Sequence, residues 1–127
     1  MFLLKISDSK YLISLRYFLK DKIIWISGTI GLLINVLLWI LLYFKMPQTE
    51  GIVPLHYNIY FGIDKVGPWY GVFIFPFTGF FIWLINFCLA YIFYKKEKFL
   101  SHFLVIVAVL AEIIIAGASL IVLRINI

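Results

Sequence analysis

Three long apolar runs predict an all-α integral membrane bundle of three transmembrane helices with an ordered extracytoplasmic loop. Three observations carry that expectation. Of the 127 residues, 65% are hydrophobic and 13% are charged, against about 45–50% and about 25% in ordinary soluble domains. The apolar residues fall in uncharged runs long enough to cross a bilayer. The basic residues gather at the ends of those runs rather than within them. A soluble domain of this size cannot bury so much apolar surface. Composition therefore excludes a soluble enzyme, a disordered chain and a nucleic-acid-binding domain. Lone Cys88 excludes an internal disulfide framework and a cysteine-based zinc site. The net charge of +5 points to lipid headgroups as the anionic partner, because the cations flank apolar runs. The organisation expected is a cytoplasmic basic arm or interfacial helix over 1–22, then one membrane domain over 23–127.

The arm carries Lys5, Lys10, Arg16, Lys20 and Lys22. Its charges interrupt any apolar region, and no small-residue cleavage site follows the first span, so it does not read as a cleavable signal peptide. Ser9 is a candidate cap for a short helix. Leu12, Leu15 and Leu19 would share one face of it, with Lys10, Ser14 and Asp21 elsewhere, as suits a helix lying on the inner leaflet. A loosely ordered basic arm is the alternative.

The first span, about 23–44, is 22 residues without a charge. The second, about 69–94, is 26 such residues, and the third, about 99–123, is 25 residues with the single acid Glu112. A hydrocarbon core of about 30 Å needs roughly 20 helical residues. None of the runs alternates as an outer-membrane strand does. Lipid leaves no partner for unpaired backbone groups, so helices are the expected spanning form. Pro76 should kink the outer half of the second span. The 95–98 connection is short, which makes the second and third spans antiparallel neighbours.

Orientation follows from charge. Eight basic residues lie in the arm and the 95–98 connection, and three (Lys45, Lys65 and Arg124) lie at the opposite ends. The positive-inside rule puts the N-terminus in the cytoplasm and the long loop and C-terminus outside, in a cytoplasmic (inner) membrane. Trp25, Tyr91 and Tyr94 then fall near the inner boundary. Trp39, Tyr43, Trp69 and Tyr70 fall near the outer one, as an aromatic belt requires.

Polar residues inside the spans are the informative ones. Ser27, Gly31 and Asn35 share a face of the first span. Thr78, Gly79, Asn86 and Ala90 mark the second. Ala108, Glu112 and Ala116, with Ser119 close by, mark the third. Small residues let backbones approach and polar side chains bond across the contact, so these faces should form the seam. Asn35, Asn86 and Glu112 are expected to meet there. A carboxyl at the bilayer centre costs at least about 2.5–3.5 kcal/mol unless paired, wetted or neutralised. One reading is a protonated Glu112 donating to Asn35 or to a backbone carbonyl and holding the bundle together. Others are a proton or ion pathway, and a contact with another protein's helix. His102 reads as an ordinary residue of the inner boundary.

The 45–68 loop is long for so small a protein. Leu55, Tyr57, Ile59 and Phe61 alternate with His56, Asn58 and Tyr60, which predicts an extended piece with one apolar face docked on the helix ends. Gly62 to Pro68 reads as consecutive turns. Asp64 would fold back toward His56 and Asn58. Three chemistries compete there. His56 and Asp64, with Glu50, are a thin ligand set for a divalent ion. As an acid–base pair they lack an adjacent Ser or Cys nucleophile and an oxyanion site. As structure, Asn58 and Asp64 would cap turns and His56 would bond the backbone. A fourth use is partner recognition by an aromatic outer surface. No catalytic residue, metal or cofactor is assigned.

Pro54, His56, Asn58 and the later Asp64 follow a first transmembrane helix with a spacing that resembles the small domain of unknown function of SdpI-type bacterial membrane proteins. Their loop reads Pro-x-His-Phe-Asn, a spacer, Gly, then Asp. Gly62 stands one place late, and the family's final loop lysine has no secure counterpart. The similarity spans roughly residues 24–90, and its specific part is about a dozen residues. It implies a bacterial cytoplasmic-membrane protein and, by analogy with some members, toxin immunity or sequestration of a regulator. The function expected is that of a non-enzymatic accessory, sensor or immunity-like component. Its partners are the lipid bilayer and a second copy or another membrane protein, with no nucleic acid. A subunit of an oligomeric ion or small-solute pathway is the alternative.

Overall fold

The computed structural model describes residues 2–127. In chain order the elements are α1 (Phe2–Lys20), α2 (Lys22–Lys45), β1 (Val53–Asn58), β2 (Gly62–Gly67), a 3-10 turn (Trp69–Phe73), α3 (Ile74–Phe93) and α4 (Lys98–Asn126). Three helical stretches are long and apolar enough to cross a membrane: Lys22–Lys45, Trp69–Phe93 and Lys98–Asn126. The chain is mostly helical, but the all-α class needs one amendment, a two-stranded sheet between α2 and α3.

α1 runs through Ser9 rather than starting there. Residues 2–20 contain no Pro or Gly, so nothing in that stretch breaks the helix. It ends at Asp21, which takes an extended conformation (φ −65°, ψ 123°). The Asp21 Oδ1 accepts from the backbone N–H groups of Ile23 and Ile24, at 3.0 and 3.4 Å. These are two of the donors that a helix start leaves free, so Asp21 caps α2. One residue thus separates the two helices.

α2 buries Ile24, Gly28, Gly31, Asn35, Leu38 and Leu42. The steps between them are four and three in alternation, the seam of helices packed nearly parallel. Gly28 takes the place expected of Ser27, which is only half-buried. The reason is room. A Cβ at Gly28 would lie 2.5 Å from the ring of Phe87. α4 repeats the pattern with Ser101, Val105, Ala108 and Glu112, then Ser119 and Val122. α4 is the central helix, packed on both α2 and α3.

Pro76 does not interrupt a helix. It is the third residue of α3, where its missing N–H had no intrahelical partner to lose. The 3-10 turn before it carries the chain from the sheet into α3.

The apolar core has two parts. At the hairpin end, Leu38, Leu42, Met46, Val72, Val122 and Leu123 close around Val53 and Leu55 of β1. At the α1 end, Phe18 joins Ile24, Ala90 and Val105. Asn35 and Glu112 lie between these parts along α2 and α4.

Candidate functional site

The buried polar pair forms where three helices converge. Asn35 Nδ2 donates to both Glu112 oxygens, at 3.2 and 3.3 Å, and to the Pro76 carbonyl at 2.8 Å. The carboxyl group is the acceptor, the reverse of the direction expected. Glu112 is fully buried (0% exposed). Gly79 makes the space: a Cβ there would stand 2.7 Å from Glu112 Oε2 and 3.0 Å from Asn35 Nδ2. Asn86 does not join them. It is half-buried and donates to the Ile82 carbonyl one turn back in its own helix, at 2.8 Å. A self-bonded Asn86 needs no partner across the seam, and the Pro76 carbonyl takes its expected place. The lock thus ties α2, α3 and α4 together at one level, with hydrogen bonds that span the seam in an apolar setting.

The second cluster is the hairpin. β1 and β2 are antiparallel, and Gly62 to Gly67 is a strand rather than a series of turns. The turn is confined to Ile59–Phe61 and closed by Gly62 in the left-handed region at φ 73°. That conformation explains a glycine at this place. Asn58 Oδ1 accepts from the Tyr60 N–H at 2.8 Å and fixes the turn. His56 Nδ1 lies 2.5 Å from Asp64 Oδ1, across two irregularities in the strand register, so His56 bonds a side chain and not the backbone. These side chains are 53% and 36% exposed. Among the described residues, no third His, Cys, Asp or Glu joins them in a set that would hold a metal ion. Pro54 offers its carbonyl to Asn126 Nδ2 at 2.8 Å, which ties β1 to the end of α4. The base of the hairpin is buried through Val53 and Leu55. Leu55 fits over two glycines, since a Cβ at Gly67 or Gly71 would lie 2.7 Å from its Cδ1. Beyond that base the apolar face is not covered by the bundle. Ile59, Tyr60 and Phe61 are 81%, 87% and 83% exposed.

The third cluster escaped the sequence reading, which placed Asp21 on the polar side of α1 and left His102 at a boundary. Asp21 Oδ2 accepts from the Tyr94 hydroxyl at 2.8 Å and from His102 Nε2 at 2.9 Å, with Lys98 Nζ at 3.8 Å. One carboxylate therefore joins the α1–α2 elbow, the end of α3 and the start of α4. Burial alone would raise the Asp21 carboxyl, but the hydrogen bonds from His102, Tyr94 and the Ile24 N–H outweigh it and hold it at about 2. Burial, with the Asp21 carboxylate beside it, pushes the Tyr94 hydroxyl up to about 12. An aspartate directly before a long apolar helix was the available signal for the cap. The bonds to Tyr94 and His102 had none, since those residues are more than 70 positions away.

Comparison of the chain with protein-family models, with curated proteins and with solved structures finds no match.

Proposed function

We propose that this chain is a non-enzymatic, multi-pass component of a bacterial cytoplasmic membrane that meets a partner through its hairpin. The role is accessory, sensing or immunity-like. In this reading the N-terminus is cytoplasmic, and the hairpin and C-terminus are outside. The hairpin tip is the observation that carries it. Three consecutive large apolar side chains, Ile59, Tyr60 and Phe61, stand uncovered on a base held by Val53, Leu55 and the Asn126 bond. Aromatic side chains on a fixed mount lose little freedom on binding and suit protein recognition.

Two further points support the same class. The Pro54, His56, Asn58 and Asp64 spacing resembles the SdpI-type loop. Glu112 is sealed against Asn35 and Gly79, whereas a pathway residue would face water.

Site-specific photo-cross-linking tests the reading. A photoreactive phenylalanine analogue at Tyr60 or Phe61 in cells of the native host should give protein adducts that the same probe at Lys96 does not. Adducts with lipid alone from both hairpin positions would overturn it.

A further inference from the structure

A groove opens on the side of the bundle beneath the α1–α2 elbow. It has a volume of about 230 Å³ and is lined by Leu19, Trp25, Thr29, Leu32, Trp83 and Phe87, among others. Its walls are apolar except for Thr29 and the Trp83 indole N–H. That N–H is already spent on the Gly28 carbonyl at 3.1 Å. Along α2 the lining runs from Ile24 to Leu32, which is about 12 Å of helix rise. One leaflet of a hydrocarbon core is about 15 Å deep. The groove therefore has the length and chemistry of a seat for an acyl chain.

Its upper end carries charge. Leu19 lines the groove and Lys20 is its neighbour. Lys22 stands across the one-residue break. Both lysines are exposed, and among the described residues neither forms an ion pair. The nearest acid in sequence, Asp21, is occupied by Tyr94, His102 and the α2 N–H groups. Trp25, 62% exposed, lies three residues below Lys22, at the depth where an indole meets headgroups. The elbow itself is fixed, because Phe18 packs edge-on against Tyr91 and Tyr94 at 5.4 Å. The roof of the groove is thus held in place by the same contacts that hold α1.

We propose that this groove seats one anionic phospholipid, with an acyl chain along Trp25, Thr29 and Trp83 and its phosphate against Lys20 and Lys22. The inference is independent of the hairpin reading, since the two sites lie at opposite ends of the bundle. A bulk surface field would attract anionic lipid without a site. The site differs in requiring these two lysines rather than any two.

The test uses the full chain with Trp39→Phe and Trp69→Phe, which leaves Trp25 and Trp83, both in the groove. The protein is reconstituted in phosphatidylcholine vesicles containing acyl-brominated phosphatidylglycerol or, in parallel, acyl-brominated phosphatidylcholine. Brominated phosphatidylglycerol should quench at lower mole fraction, with a preference of about fivefold per lysine engaged. Lys20→Gln with Lys22→Gln should bring that preference close to one, and arginine at both positions should keep it. Lys95→Gln with Lys96→Gln removes the same charge elsewhere at this end and should change the preference less than about twofold. Equal quenching by the two lipids in the parent would overturn the proposal. An equal loss in the two glutamine pairs would also overturn it, reducing the effect to a surface field.

Discussion

Glu112 shows how one side chain can organise a membrane seam. Its two oxygens share the Asn35 amide, and Gly79 leaves the room they fill. Glu112→Gln keeps an acceptor for that amide and the shape of the side chain. It should leave thermal unfolding in mild detergent unchanged within experimental scatter. Glu112→Leu leaves one of the two Asn35 amide hydrogens without an acceptor, the Pro76 carbonyl keeping the other, and should cost about 1–2 kcal/mol. Gly79→Ala drives a methyl group onto both partners and should cost about 1–3 kcal/mol in the same measurement. A parental melting profile for Gly79→Ala would mean that the seam is looser than the distances imply. Asp21 makes a separate case at the bundle's end. Asp21→Ala removes a helix cap and should cost about 1–2 kcal/mol near neutral pH. The sign of its pH dependence follows from the two shifts. The Asp21 carboxyl is held below its usual value of 3.8, so its contribution is full above that pH and fades as pH falls toward about 2. The Tyr94 hydroxyl is raised from 10.0, so its contribution is full below that pH and fades as pH rises toward about 12. The gap between parent and Asp21→Ala should therefore narrow as pH falls below 3.8 and again as it rises above 10.0.

Among the elements, the hairpin departs furthest from expectation. Alternation along 55–61 predicts one extended segment with an apolar face, but the strand ends at Asn58, residues 59–61 form the turn, and that face divides. Val53 and Leu55 are buried, while Tyr57, Ile59 and Phe61 stay exposed. The dividing line is set by Leu55, which reaches the floor made by Gly67 and Gly71. Leu55→Ala should release the hairpin without unfolding the helices. It should cost about 2–3 kcal/mol locally. Hydrogen exchange in a bilayer should then lose protection at residues 55–58 and retain it in α2 and α4. Full exchange within seconds at residues 55–57 in the parent would mean that the hairpin is not docked. Gly62 belongs to the same element. A β-branched residue there is strained at φ 73°, and Gly62→Val should cost about 1–2 kcal/mol, whereas Gly62→Asn should cost less.

For the whole molecule, both ends of the bundle are tied by polar contacts and the middle by one buried pair. The α1 end is gathered by Asp21, and the hairpin end by the Asn126–Pro54 bond. Eight of the eleven basic residues lie at or beyond the α1 end, so the bundle is electrically polarised along its axis. Single cysteines placed at Glu50 or Tyr60, in a Cys88→Ser background, should react with a membrane-impermeant maleimide in intact cells. A cysteine at Lys96 should react only after the membrane is opened. The reverse pattern would invert the orientation derived from charge.

The spans were legible because the bilayer imposes a length and an apolarity that a helix satisfies by itself. The ends 23–44, 69–94 and 99–123 lie within a few residues of the helical stretches observed. The Asn35–Glu112 contact was legible too, since two polar residues at the same depth of neighbouring apolar helices have few other partners. Three features were decided only in the tertiary structure. Asn86 bonds back to the Ile82 carbonyl of its own helix, and the Pro76 carbonyl rather than Asn86 becomes the third helix's partner for Asn35. Gly62 to Gly67 became a strand, because β1 offered it a ladder that no local signal announced. Asp21 became the knot of the α1 end, because helix lengths on either side bring Tyr94 and His102 to its level. Periodicity and hydropathy act along one chain segment. Which polar group meets which depends on where other segments end, and that is a property of the packed bundle.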